Sequence, residues 1–149
     1  MATSVYGYHG SCHCQAISVA LSLSRPAPEM RVRACQCSFC RPRGTRTIAD
    51  AAGTALISAA SPDQIRRYRF GLNTADYLLC SRCGTYVGAV QEMPGGLISV
   101  INVGGLDIPD FCGVTADPVS YDGESSADRL ARRRTYWMPV AIAYEGEPA

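Results

Sequence analysis

The chain has 149 residues, enough for one domain that buries roughly two thirds of its unfolded surface, so metals are not needed for want of a core. Fourteen basic residues against thirteen acidic ones give no global attraction to nucleic acid or to an anionic membrane. No early apolar run follows a basic stretch, and no apolar stretch approaches the ~20 residues of a membrane span, so neither a secretory signal nor a membrane segment is expected.

Residues 6–24 read as a strand pair, with residues 15–23 alternating apolar and polar at period two, as a half-buried strand does. Pro26 and Pro28 interrupt the pattern, and residues 30–35 alternate again. A polar loop rich in arginine follows over residues 41–46. Residues 47–60 are alanine-rich and fit either a strand pair or a helix. Residues 65–70, 76–80 and 85–90 are further strand candidates, and residues 97–103 carry the clearest strand pattern. Near the C-terminus, Ser125 as N-cap, Asp128 in the first turn and Arg132, Arg133 and Arg134 at the end predict one short helix. Frequent turn signals and a single helical period predict an all-β fold in one domain spanning 1–149.

Seven of the eight cysteines fall into three groups: Cys12-His13-Cys14, Cys35-Gln36-Cys37-Ser38-Phe39-Cys40 and Cys80-Ser81-Arg82-Cys83. Disulfide frameworks scatter cysteines because paired Cα atoms stand several ångströms apart. Metal sites gather them, since one ion needs several thiolates at about 2.3 Å. Three groups in one chain point to zinc, with an iron–sulfur cluster as rival and a redox pair at Cys80 and Cys83 leaving five clustered cysteines unexplained. The outer pairs sum to four ligands, a closed site joining Cys12, Cys14, Cys80 and Cys83. Cys35, Cys37 and Cys40 then make a three-ligand site whose fourth position is open to substrate, or is filled by a protein group such as His13, which would make both zincs structural. Clustered reduced thiols together with the lack of an export signal favour the cytoplasm as the expected location.

The order of these groups, with Gly84-Thr85 after the last cysteine and the stretch 105–110, resembles the glutathione-dependent formaldehyde-activating enzyme family, which includes the centromere protein V type domain. The resemblance covers about residues 5–115 and leaves 116–149 as a tail packed on that core. It implies a zinc-stapled β-tent fold with one structural zinc on Cys12, Cys14, Cys80 and Cys83. It also implies a catalytic zinc on Cys35, Cys37 and Cys40, and an activity joining formaldehyde to glutathione, formally a carbon–sulfur lyase in reverse. Pro42 and Leu79 stand where the family often has a lysine and an aromatic residue, which bears on the substrate rather than on the metal sites.

Arg41, Arg43 and Arg46 follow the three-cysteine group closely and are the expected carboxylate-binding residues. Asp76, Tyr77 and Asp107 are candidate acids or bases. Cys112, the unpaired cysteine, is expected as a small buried hydrophobe. Arg132, Arg133 and Arg134 are expected as an exposed helix end, and Trp137 either packs the tail down or borders the pocket. A different class of function fits the same thiols: a non-catalytic zinc-stabilised module that binds protein or nucleic acid.

Overall fold

The computed structural model describes residues 5–145, so the two ends of the expected 1–149 unit lie outside the described residues. Strands β1 (Tyr6–Ser11), β2 (Ile17–Leu23) and β3 (Val32–Cys35) precede a one-turn helix, α1 (Cys40–Arg43). Then come β4 (Thr47–Ile48), β5 (Thr54–Ala59), β6 (Ile65–Tyr68), β7 (Asp76–Cys80), β8 (Tyr86–Met93) and β9 (Gly96–Asn102). The C-terminal part holds β10 (Ala116–Val119), α2 (Ser126–Tyr136) and β11 (Met138–Tyr144). Among the described residues no helix is long and apolar enough to cross a membrane.

The period-two pattern of the first long strand is realised directly: Ile17, Val19, Leu21 and Leu23 of β2 are all buried while the residues between them are not. The alanine-rich stretch is extended rather than helical, but its two strands do not pair with each other: Asp50 and Gly53 turn the chain between β4, which joins β3 and β9, and β5, which joins β2 and β11. Asp50 accepts hydrogen bonds from the Ser24 amide, the Ser24 hydroxyl and the Ala52 amide, which fixes that turn.

All the strands belong to one open sheet that divides at β9. One edge of β9 pairs with β8, which continues to β7 and β6. The other edge is shared: residues 97–99 pair with β11, and residues 101 and 102 pair with β4. From this division one arm runs β11–β5–β2–β1 and the other β4–β3–β10. Two of the pairings are parallel, β11 with β5 and β10 with β3, and both bring in strands from the tail. The main core lies between the arms, with Ile17, Ile57, Leu78, Ile101, Phe111 and Met138 fully buried. A smaller cluster of Phe39, Cys40 and Tyr86 packs separately, beside another formed by Ala75, Ala89 and Trp137.

Gly10 is extended within β1 rather than in a turn, and its missing side chain serves a close approach. A Cβ there would stand 2.4 Å from the Leu106 carbonyl oxygen and 2.5 Å from Ile108 Cγ1. The neighbouring Ser11 amide donates to that same carbonyl at 3.0 Å, so the backbone cannot simply withdraw. Gly10→Ala should therefore lower stability by roughly 1–3 kcal/mol, read as a shifted midpoint in urea unfolding.

Candidate metal centres and the cleft beside them

Cys12 and Cys14 occupy the turn between β1 and β2, while Cys80 ends β7 and Cys83 lies in the turn to β8. Both turns pass through the left-handed region, at Gln15 (φ 68°) and Gly84 (φ 78°). In the first, the Ile17 amide donates to Cys12 Sγ at 3.3 Å; in the second, the Gly84 amide donates to the Cys80 carbonyl at 2.9 Å. The result brings four sulfurs within 4.8 Å of one another, with 3.7 Å between Cys12 and Cys14 and 3.6 Å between Cys14 and Cys80. A disulfide needs about 2.05 Å. Four sulfurs at ~2.3 Å from a tetrahedral ion stand roughly 3.8 Å apart, which this spacing matches.

Burial pushes the Cys12 thiol up to about 12. Burial also opposes ionisation of Cys83, but hydrogen bonds from the Thr85 hydroxyl and from backbone amides outweigh it and bring that thiol down to about 5. His13 lies between two ligands yet is exposed, its amide donating to the Thr85 hydroxyl.

The second group is assembled locally. Cys35 ends β3, Cys37 follows in the loop and Cys40 opens α1, and the three sulfurs also lie within 4.8 Å of one another. The Cys40 amide donates to Cys37 Sγ at 3.3 Å, as the one-turn helix demands. Hydrogen bonding from the Cys40 thiol draws Cys35 down to about 6, and Cys40, holding the shared proton in a buried position, is raised. Among the described residues no fourth histidine, cysteine or carboxylate joins this group, His13 included. Both groups are thus soft-donor sets able to hold a metal ion and compatible with zinc, one with four ligands and one with three.

Cys35 and Cys37 face an open cleft of about 450 Å³. Phe70, Leu72 and Tyr77 form one wall, and Arg129, Arg132 and Arg133 of α2 form the other. Cys35 and Cys40 also border a smaller cavity of about 60 Å³ deeper in the fold, lined further by Arg33, Tyr77, Trp137 and Arg133. The helix is set as expected, with the Ser125 hydroxyl accepting from the Asp128 amide at 3.1 Å. Its arginines are not set as expected: only Arg134 is exposed, while Arg132 is half-buried and Arg133 fully buried. Arg129, Arg132 and Arg133 stand at i, i+3 and i+4, one face of a helix, and that face lies against the cleft. This spacing was the signal available in the sequence.

Arg132 holds Glu124 through two hydrogen bonds, at 2.9 and 3.0 Å, and Arg129 adds a third at 3.0 Å. The Arg132 contact, with help from Arg129, keeps the Glu124 carboxyl below its ordinary value of 4.5. Because the folded value is the depressed one, the contribution to docking of α2 is complete above pH 4.5 and is lost as pH falls through the folded value. Acid titration followed by Trp137 fluorescence should show α2 loosening below that point, and Glu124→Gln should remove the step.

Arg41, Arg43 and Arg46 lie outside the cleft lining. Arg41 and Arg43 are exposed, and Arg43 stacks its guanidinium over the Phe39 ring at 3.9 Å and donates to the Phe39 carbonyl. Arg46 turns the other way and donates to the carbonyls of Phe111 and Val114, bracing the loop before β10. Of the candidate acids, Asp76 is ion-paired to Arg67 and Arg69 and Asp107 is exposed, whereas Tyr77 reaches both the cleft and the cavity. Burial raises the Tyr77 phenol to about 12, so it is protonated at neutral pH. Cys112 is exposed, because it caps a short turn after the buried Phe111 instead of facing the core. Trp137 does both things expected of it, burying against Ala75 and Ala89 and bordering the cavity.

No curated protein sequence matches the chain. A crystal structure of a Rhodobacter sphaeroides protein is similar to it, with 28% identity over 72% of this chain and 90% of that one and a TM-score of 0.49. The family model for glutathione-dependent formaldehyde-activating enzymes matches residues 7–118, a span holding both cysteine groups. The chain belongs to the glutathione-dependent formaldehyde-activating enzyme family.

Proposed function

We propose that this protein is a zinc-dependent carbon–sulfur lyase type enzyme acting on a small thiol adduct, with the formaldehyde adduct of glutathione as its first candidate substrate. The observation that carries the reading is the three-thiol centre opening onto a cleft whose far wall is a row of helix-borne arginines. Family membership supplies the thiol-adduct chemistry. Cys12, Cys14, Cys80 and Cys83 would hold a structural zinc; Cys35, Cys37 and Cys40 would hold a catalytic one. Zinc bound to that trio supplies Lewis acidity that keeps the substrate sulfur anionic at neutral pH and makes it a competent leaving group.

The rest falls to the chain. Addition of formaldehyde forms one S–C bond, opens the carbonyl π bond and delivers one proton to oxygen; cleavage runs these changes backwards. Tyr77, protonated and lining the cleft, would give that proton, and its phenolate would take it back in cleavage. Arg129 and Arg132 would hold a substrate carboxylate in the bidentate manner with which Arg132 now holds Glu124. Phe70 and Leu72 would give the substrate an apolar wall to lie against. A reducing cytoplasm would suit both the thiol ligands and a thiol substrate.

Elemental analysis should find two zinc ions per chain, and exchange NMR with glutathione and formaldehyde should show interconversion faster than the uncatalysed rate. One zinc per chain together with no acceleration would leave the binding-module reading in its place. Glu124→Gln frees the arginine clamp, so it should lower KM for an acidic thiol adduct by a factor of about 3–10, the worth of one competing charge-assisted hydrogen bond.

A further inference from the structure

Beside the three-thiol centre, Arg33 and Arg133 line one cavity, and neither is ion-paired to a carboxylate among the described residues. Arg133 is only 4% exposed. Its Nη1 donates to Thr74 Oγ1 at 2.7 Å and to Gln91 Oε1 at 2.8 Å, and its guanidinium lies 4.4 Å from the centre of the Trp137 ring. These contacts orient the group but do not neutralise it. Its Nε–H is buried and has no acceptor among the described residues. Arg129 and Arg132, one turn earlier and next door, share Glu124; no ion pair among the described residues reaches Arg133. Across the cavity, the Nε of Arg33 on β3 is likewise buried without an acceptor.

Buried charges are ordinarily paired, and an unpaired buried donor weakens a fold. Two arginines without a carboxylate partner beside one void are an arrangement that apolar side chains would improve upon, unless the void has an occupant. Size narrows what that occupant is. One water needs about 10–15 Å³ by the same measure, so the 60 Å³ cavity takes a group of roughly four heavy atoms. We propose that this cavity is an anion site, with the guanidinium groups of Arg33 and Arg133 as donors to a carboxylate-sized oxyanion lying beside Cys35 and Cys40. Burial lowers the Arg133 guanidinium to about 10, which still leaves it cationic at neutral pH. The anionic oxygen has two sources with the same chemistry: a carboxylate, or the alkoxide that develops on the carbon of a thiol adduct.

Trp137 is the only tryptophan in the chain and lines the cavity, so it reports occupancy directly. Formate titrated into the zinc-loaded protein should change its fluorescence saturably. Arg33→Gln and Arg133→Gln should each weaken formate binding at least tenfold, with zinc content retained; should Arg133→Gln not fold, Arg33→Gln alone decides. A purely linear quench, or parent-like formate binding in the folded variants, overturns the site and leaves the sulfurs as the counter-ion of both arginines. The sources separate by kinetics, in an arm that rests on the proposed function: Arg33→Gln lowering kcat at constant KM marks the alkoxide, and raising KM at constant kcat marks a substrate carboxylate. The fluorescence readout needs no turnover, so loss of the proposed activity and loss of the anion site are distinguishable results.

Discussion

Cys37→Ser should reduce turnover of the glutathione adduct by a factor of roughly 10²–10³ in a protein that still folds, the scale of several kcal/mol that a lost Lewis-acid contact removes from a transition state. Cys80→Ser should instead abolish the cooperative fold. The two changes remove the same atom from a ligand set, so the difference must come from where each set sits. Cys35, Cys37 and Cys40 are within six residues of one another and are positioned by β3 and the α1 turn, whose backbone bonds survive the substitution. Cys12 and Cys14 meet Cys80 and Cys83 from opposite parts of the sheet, 66 residues apart between Cys14 and Cys80. Closure of that site ties the β1–β2 hairpin to the β7–β8 turn. Structural zinc in small domains contributes ~10–16 kcal/mol of binding free energy, against a total stability of ~5–15 kcal/mol for a typical domain. Loss of the closed site is therefore comparable with the whole stability of a domain of this size. Thermal melts with zinc counts on both variants decide the matter; a Cys37→Ser protein that unfolds as completely as Cys80→Ser would make the three-thiol centre structural and remove the basis for catalysis.

The contrast also marks which features were legible in the amino-acid sequence. Cysteine spacing carries its own geometry, because two thiols one or two residues apart can face one ion only across a tight turn, and the left-handed Gln15 and Gly84 make those turns. The alternation in β2 and the Ser125 cap are local patterns and were equally readable. What sequence did not convey depends on where the tail packs. β10 is four residues long and includes Pro118; β11 carries Pro139 next to its start, and neither shows an alternation strong enough to announce a strand. The arginines near Cys40 looked nearest the chemistry because they are nearest in the chain. Arg43 and Arg46 are instead spent on Phe39, Phe111 and Val114, and α2, more than 80 residues away, supplies the cleft. The Arg129, Arg132, Arg133 spacing was visible, but a basic helix end near a helix C-terminus has an ordinary explanation in the macrodipole, and only the docking of α2 discriminates the two.

A chain ended after Pro118, where the family match stops, should fail to fold although every cysteine ligand is present. β11 occupies an interior place in the sheet, parallel to β5 over residues 140–144 and antiparallel to β9 over residues 138–140. Its removal leaves the facing edges of both strands without partners and uncovers a core that Met138, fully buried, and Trp137, 5% exposed, now close. Two bared edges beside an apolar interior are a template for aggregation, so the truncated chain should be insoluble or, if refolded, lack dispersed NMR signals. A finer probe is Val140→Pro: Val140 pairs with Ala55 on one side and Leu97 on the other, and proline there removes a ladder donor between two strands and leaves its acceptor unpaired, at a cost of about 1–3 kcal/mol. Zinc at the four-thiol site cannot compensate, since Cys12, Cys14, Cys80 and Cys83 link β1–β2 to β7–β8 and none of them bridges β5 to β9. Soluble, cooperative melting of the 1–118 chain with two zinc ions would show that the tail only decorates the fold; its loss would show that the segment bearing the cleft arginines is also the segment that joins the two halves of the sheet.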